Sequence, residues 1–150
     1  MNFSAILTNH VLITALVADL VAQLLKVPTH YLRTHQWNWA SLVAAGGMPS
    51  SHSALITATA WSTGLIYGFG SGIFAVAVAI AMITVYDATG VRRQAGLHAR
   101  KINILVDELL KGHPINDEQL REVIGHTPLE AISGVLLGIV VAQLMWIFWK

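Results

Sequence analysis

Gly46-Gly47-Met48-Pro49-Ser50-Ser51-His52-Ser53 runs without a break into Ala54-Leu55-Ile56-Thr57-Ala58-Thr59-Ala60-Trp61, so that glycines, a proline, hydroxyls and a histidine stand directly before an apolar run. Two glycines permit a tight backbone path with φ > 0. Pro49 holds φ near the value that begins a helix, and Ser50 or Ser51 can cap the N–H groups that follow. The stretch therefore predicts a helix N-terminus with His52 in its first turn, continuing as an apolar span to Phe69. Free N–H groups at the positive end of a helix dipole make such a start a site for an anion, phosphate above all. Taken alone, the same residues equally describe a capped membrane helix whose histidine sits at the lipid headgroup level.

The rest of the chain sets that stretch in a membrane. With 150 residues, 55% hydrophobic and 11% charged, and a mean hydropathy of +0.60, the chain lies outside the range of soluble domains. It reads as a small integral membrane protein of one domain, residues 1–150. Cysteine is absent, which excludes disulfides, thiolate metal sites and cysteine nucleophiles. The first residues lack the positive region of a cleaved signal peptide and Asp19 interrupts the apolar run, so the first segment is expected to be retained.

Outward from the central stretch, Ile6 to Leu25 reads as span one, closed by Lys26, with Asp19 assigned to the interface ahead of a pairing with Lys26. Thr29 to Trp39, with Trp37 and Trp39, reads as an interfacial segment, and Ala40 to Ala45 is too short to cross. His52 to Phe69 is span two, and the glycines around Phe69 and Ser71 turn the chain into span three, Ile73 to Tyr86. A polar stretch from Asp87 to Gly96 leads to an amphipathic helix from Leu97 to Lys111, with a short helix from Asp117 to Gly125 beyond His113-Pro114. Thr127-Pro128-Leu129-Glu130 matches a capping box and opens span four, Leu129 to Trp149, where Gly134 and Gly138 mark close helix packing. The expected fold is all-α, a helical bundle of about four spans with a cytoplasmic amphipathic helix.

Lys26, Arg33, Arg92, Arg93, Arg100, Lys101, Lys111 and Arg121 all fall between spans one and two or between spans three and four. Those segments share one face. The positive-inside rule makes that face cytoplasmic and leaves both termini outside a bacterial-type plasma membrane. The same topology gathers Ser50, Ser51, His52, Asp87, His126 and Glu130 beside the cations. Phosphoryl transfer needs cations and N–H donors around the equatorial oxygens, an in-line nucleophile and an acid for the leaving oxygen, and imidazole can serve as nucleophile or acid.

Lys26-x6-Arg33, Pro49-Ser50-Ser51-His52 and His126-x3-Glu130 resemble the three signature motifs of the type 2 phosphatidic acid phosphatases, relatives of the vanadium haloperoxidases. Gly46 to Ser53, Asp87 to Gly96 and Gly125-His126-Thr127-Pro128-Leu129-Glu130 more closely resemble the divergent branch of that superfamily, over nearly the whole chain. The resemblance implies a lipid phosphate phosphatase with a covalent phosphohistidine, no metal and no cofactor, and a lipid phosphate rather than a nucleic acid as partner. On that basis His126 attacks phosphorus, Glu130 orients it, and His52 protonates the leaving alkoxide. Lys26, Arg33, Ser50, Ser51 and an arginine hold the phosphate, with Asp87 in support.

The chain departs from the family pattern in several places. Ser51 stands where the family has glycine, Thr34 follows Arg33 in place of proline, and Glu130 replaces aspartate. Arg121-x4-His126 is one residue short of the third motif, which leaves Arg92 or Arg93, preferred, and Arg121 as candidates for its arginine. His113 is the rival nucleophile, whereas His10, His30, His35 and His98 read as interfacial or surface residues. Four spans are fewer than the family's usual number, and a homo-oligomer is one way to close the pocket. Two other functions remain open: a non-catalytic protein that binds phospholipid headgroups, and a metal site of His52, Asp87, His126 and Glu130, disfavoured by the surrounding cations.

Overall fold

A computed structural model describes residues 4–44, 46–109 and 126–150, without the side chains of 92, 93, 108 and 109. The short helix expected from Asp117 to Gly125, together with Lys111, His113 and Arg121, lies outside the described residues. The described residues form helices α1 (Ser4–Leu7), α2 (His10–Thr34), α3 (Ser51–Tyr67), α4 (Gly72–Thr89), α5 (Val91–Leu109) and α6 (Pro128–Trp149), with a 3-10 turn at Trp39–Val43. Among the described residues, three helical stretches are long and apolar enough to cross a membrane: His10–Thr34, Gly72–Asp107 and Pro128–Trp149. The 17 residues of α3 sit at the short end of the crossing range, and α3 is the helix the others surround.

The bundle is packed by small residues. Ala18 and Ala22 of α2, Ala54 and Ala58 of α3, and Val141 and Ala142 of α6 form its core. Large apolar side chains such as Leu16, Leu20, Ile80, Ile83 and Leu136 point outward. That inversion of the soluble pattern is what lipid permits, because hydrocarbon solvates leucine as well as a core does and helices gain most by bringing backbones close. A Cβ on Gly134 would lie 2.3 Å from the Ser50 carbonyl oxygen, and one on Gly138 would lie 2.5 Å from that of Ala54, so the two glycines are where α6 lies against α3.

Helices α3 and α6 run parallel, since the Ser50 N–H donates to the Glu130 carbonyl at 2.9 Å where both begin. Helix α2 opposes them, with His10 at its start stacked on Trp149 at the end of α6, ring centroids 4.2 Å apart. Helix α4 returns beside α3, so that its last turn reaches the start of α6, where Ala88 accepts the His126 N–H at 3.0 Å. The end of α2, the start of α3, the end of α4 and the start of α6 thus share one end of the bundle.

Several boundaries differ from the sequence reading. Helix α2 starts at His10 and continues past Lys26 and through Pro28 to Thr34. Pro28 has no N–H to give the Leu24 carbonyl, yet the helix continues past it, and the Thr29 hydroxyl beside it turns back toward the Leu25 carbonyl at 2.8 Å. The extension places Asp19 near mid-helix and half-buried. The polar stretch from Asp87 to Gly96 is the end of α4 and the start of α5, joined at Gly90. Gly90, at φ −98 and ψ −89, is the break between α4 and α5, although its N–H still donates to Tyr86 at 2.8 Å and its carbonyl accepts from Gln94 at 3.0 Å. Pro49 precedes the cap instead of opening the helix, because Ser50 is the N-cap of α3.

Candidate active site

The start of α6 builds the central pair. Thr127 caps the helix, its hydroxyl accepting the Glu130 N–H at 3.4 Å, while Glu130 Oε2 accepts the Thr127 N–H at 3.0 Å. The same Oε2 lies 3.3 Å from His126 Nδ1. Capping and orienting are therefore one arrangement: the capping box fixes the carboxylate where it meets the imidazole. An ionised carboxylate only accepts, so Nδ1–H of His126 is the donor in this contact and Nε2 is the ring nitrogen turned away from Glu130. His126 is buried, at 5% exposure, and its backbone is tied to α4 through Ala88.

His52 faces this pair from the first turn of α3, with its ring centroid 6.3 Å from that of His126 and the planes inclined at 53°. Unlike His126, His52 is exposed. Its helix is held to α6 by the Ser50 bond to Glu130, so backbone contacts set the spacing of the two imidazoles. Ser50 and Ser51 are both buried. The Ser50 hydroxyl lies 3.0 Å from the Ser53 hydroxyl and accepts the Ser53 N–H at 3.3 Å, so it serves the cap of α3.

Lys26 enters from α2 and is 2% exposed, its ammonium donating to the Ala44 carbonyl at 2.8 Å. Gly47, at φ +97, passes over its stem; a Cβ there would sit 3.9 Å from Lys26 Cγ and Cδ. Asp19 and Glu130 both lie within electrostatic reach of the ammonium, and Arg33, exposed on the last turn of α2, lies within reach of Glu130. A buried cation costs several kcal/mol unless it is paired, and an ammonium has three donors of which Ala44 takes one. That arrangement suits an anion.

The structure thus brings Lys26, Ser50, Ser51, His52, His126 and Glu130 to one end of the bundle, with Arg33 at its rim and Asp87 beside Ala88 on the last turns of α4. Arg92 and Arg93 fall in the first turn of α5, which leaves that same end; their side chains and Arg121 lie outside the described residues. Among the described residues no group of three or more His, Asp or Glu side chains is placed to hold a metal ion, so the four-residue metal site lacks its geometry there. Sequence reasoning missed Thr29, whose hydroxyl also bonds the Met48 carbonyl and ties α2 to the loop before α3. It also missed Gln23, whose carbonyl oxygen is buried without a hydrogen-bond partner among the described residues. The available signal was spacing, since Asp19, Gln23 and Lys26 repeat at helical intervals on α2.

Small residues inside, large ones toward lipid and a polar cluster at one end define a helical membrane protein. The chain belongs to the Divergent PAP2 family, whose model matches residues 7–141. It is similar to the uncharacterized membrane protein YuiD of Bacillus subtilis, 39% identical over 154 residues, which cover 95% of this chain and 98% of that protein. No solved structure matches it.

Proposed function

We propose that this protein is a membrane lipid phosphate phosphatase that hydrolyses a phosphomonoester or diphosphate headgroup through a phosphohistidine on His126, without a metal ion. The observation that supports this reading most is the pairing of buried His126 with half-buried Glu130, 3.3 Å apart, with Nε2 left to meet a substrate and a second histidine facing it. In the first step Nε2 forms a bond to phosphorus as the bond to the lipid oxygen breaks, and protonated His52 gives its proton to the departing alkoxide. In the second step water attacks the phosphohistidine, neutral His52 takes the water's proton, and the N–P bond breaks to release inorganic phosphate. Glu130 stabilises the charge that His126 gains when bonded to phosphorus. Lys26, Arg33 and Arg92 or Arg93 offset the charge on the equatorial oxygens, together with the N–H groups at the start of α3.

The burial of Ser50 and Ser51 favours a second reading, headgroup binding without turnover. With the Ser50 hydroxyl engaged in the cap and Ser51 standing where the family has glycine, less of the loop is open to phosphate. Phosphate release by purified protein from a panel of lipid phosphates, with chelator present, separates the two. Release that persists supports the phosphatase; binding of the same lipids without release supports the alternative.

We place the site on the cytoplasmic face, with both termini outside, because Lys26, Arg33, Arg100 and Lys101 fall at the end of the bundle that holds it or on the helix leaving it. The cysteine-free chain allows a direct test. Arg100→Cys is expected to resist an impermeant thiol reagent added to intact cells and to react after lysis; labelling from outside reverses the orientation.

A further inference from the structure

Lys26 stands on α2, and the N–H groups that meet a phosphate stand at the start of α3, so the width of the anion site is a distance between two helices. Helix α2 meets the loop before α3 at three points. The Lys26 ammonium donates to the Ala44 carbonyl at 2.8 Å, a Cβ on Gly47 would lie 3.9 Å from the Lys26 stem, and the Thr29 hydroxyl bonds the Met48 carbonyl. We propose that Thr29 is a positioning residue for phosphate: its hydroxyl holds Met48 so that the start of α3 keeps the distance from Lys26 that a bound phosphate spans. The proposal rests on the phosphatase reading of this site.

Proton counting shows how Thr29 acts. Its hydroxyl has one proton and three carbonyls within reach, those of Leu25, Lys26 and Met48. Leu25 and Lys26 lie inside α2, where the N–H groups of Thr29 and His30, four residues on, serve their carbonyls. Met48 lies in the loop, outside any helix. The proton therefore goes to Met48, and the hydroxyl has none left to give a substrate. Thr29 acts on phosphate through the loop, without touching it.

The three contacts differ in what they can hold. The ammonium of Lys26 must share its donors with the anion, and the packing of Gly47 on the lysine stem has no direction. The Thr29 bond uses a group the anion does not need, so it holds the loop in the empty and in the filled site alike.

Helix α6 holds the same loop from the other side, through the Ser50 N–H and the Glu130 carbonyl at 2.9 Å. Pro49, between the two attachments, has no N–H to add a third. The two bonds have different tasks. The Ser50 bond fixes α3 against α6, and with it His52 against His126, 6.3 Å between ring centroids. The Thr29 bond fixes the loop against α2, and with it Lys26. Charge on the equatorial oxygens changes little between a bound phosphate ester and a loose transition state, so the cation and N–H groups around them stabilise both alike. Widening that site weakens binding and leaves the chemical step nearly unchanged.

The test compares full-length wild type, Thr29→Val, which keeps the shape and removes the donor, and Thr29→Ser, which keeps the donor, in phosphatidylcholine nanodiscs. Two measurements are made: Kd for labelled inorganic phosphate by equilibrium dialysis, and kcat and KM for hexadecyl phosphate. Neither Kd nor KM depends on the fraction of protein folded. Thr29→Val is expected to raise Kd and KM together by about tenfold, with kcat within about threefold of wild type, and Thr29→Ser to stay within about twofold in all three. Kd and KM unmoved in Thr29→Val, or raised equally in Thr29→Val and Thr29→Ser, overturns the proposal. A loss confined to kcat overturns it too, by assigning Thr29 to the spacing of the histidines. If Thr29→Val does not accumulate, Thr29→Ala, which lacks the same donor, is read in the same way. Phosphate Kd raised in Thr29→Val and restored in Thr29→Ser, with no release from any lipid phosphate, counts against the phosphatase reading alone. Release by all three proteins with Kd and KM unmoved counts against Thr29 alone, and a wild type that neither binds phosphate nor releases it overturns both.

Discussion

At the end of the bundle where α3 and α6 begin, backbone meets backbone: the space that a Cβ of Gly134 would need is filled by the Ser50 carbonyl, and the Ser50 N–H bonds Glu130. At the opposite end rings meet rings, His10 on Trp149 and Phe69 between Trp61 and Phe74. Backbone contact tolerates no added atom, whereas stacked and edge-on rings can slide and still hold most of their attraction. The first end carries the imidazoles, whose spacing must be kept to a fraction of an ångström for in-line chemistry. The second end contributes stability and can vary. Substitutions at the two ends should therefore separate activity from stability.

The largest effect is expected at the nucleophile. His126→Ala should lower phosphate release by about a thousandfold or more, since without the imidazole no covalent path exists. Protein quenched in base during turnover of labelled substrate should carry acid-labile phosphate in wild type and His113→Ala and none in His126→Ala. Label that survives in His126→Ala and vanishes in His113→Ala would move the nucleophile to the other histidine. Vanadate, which can occupy five-coordinate geometry, should inhibit, and chelators should not.

Next comes the acid. His52→Ala should slow alkyl phosphates by about a hundredfold or more and aryl phosphates far less, because an acid matters most when the departing oxygen is basic. Equal losses on both would remove His52 from that role and leave it as a phosphate contact at the start of α3.

Local chemistry made much of this end legible in the sequence. Ser50 as a cap, the Thr127–Glu130 box and the His126–Glu130 spacing are each decided within one helical turn. What the sequence hid depends on partners far away in the chain. Lys26 looked like the end of a span, because a lysine in a helix interior is costly until the Ala44 carbonyl and the chain at Gly47 cover it. The Ala88 contact that ties His126 to α4 is likewise a backbone bond between distant segments, invisible to any motif.

A smaller effect, on stability and activity together, is expected from Gly134→Ala. The new Cβ would sit 2.3 Å from the Ser50 oxygen and 2.9 Å from Ser53 Cβ, so α3 must move away from α6. Overpacking of this kind costs about 1–3 kcal/mol, against about 1 kcal/mol returned by alanine's better helix propensity. The net is a lower unfolding midpoint in detergent. Because the shift separates His52 from His126, turnover should fall by more than the loss of folded protein explains. Unchanged turnover per folded molecule would show that the backbone contact does not set the histidine spacing.

The smallest effect is expected from the matching change at the other end, Gly72→Ala. Gly72 opens α4 just after the Ser71 cap, and a Cβ there would meet nothing within 4 Å. Alanine at an unobstructed helical position stabilises by about 0.4–1 kcal/mol, chiefly by restricting the unfolded chain. The unfolding midpoint should rise slightly, with turnover within twofold of wild type. The two alanines differ only in what the added methyl group meets, so opposite signs in stability would trace the difference to contact rather than to helix propensity. If Gly72→Ala reduced turnover as Gly134→Ala does, the far end would be coupled to the site, and the division between a rigid catalytic end and an adjustable aromatic end would fail.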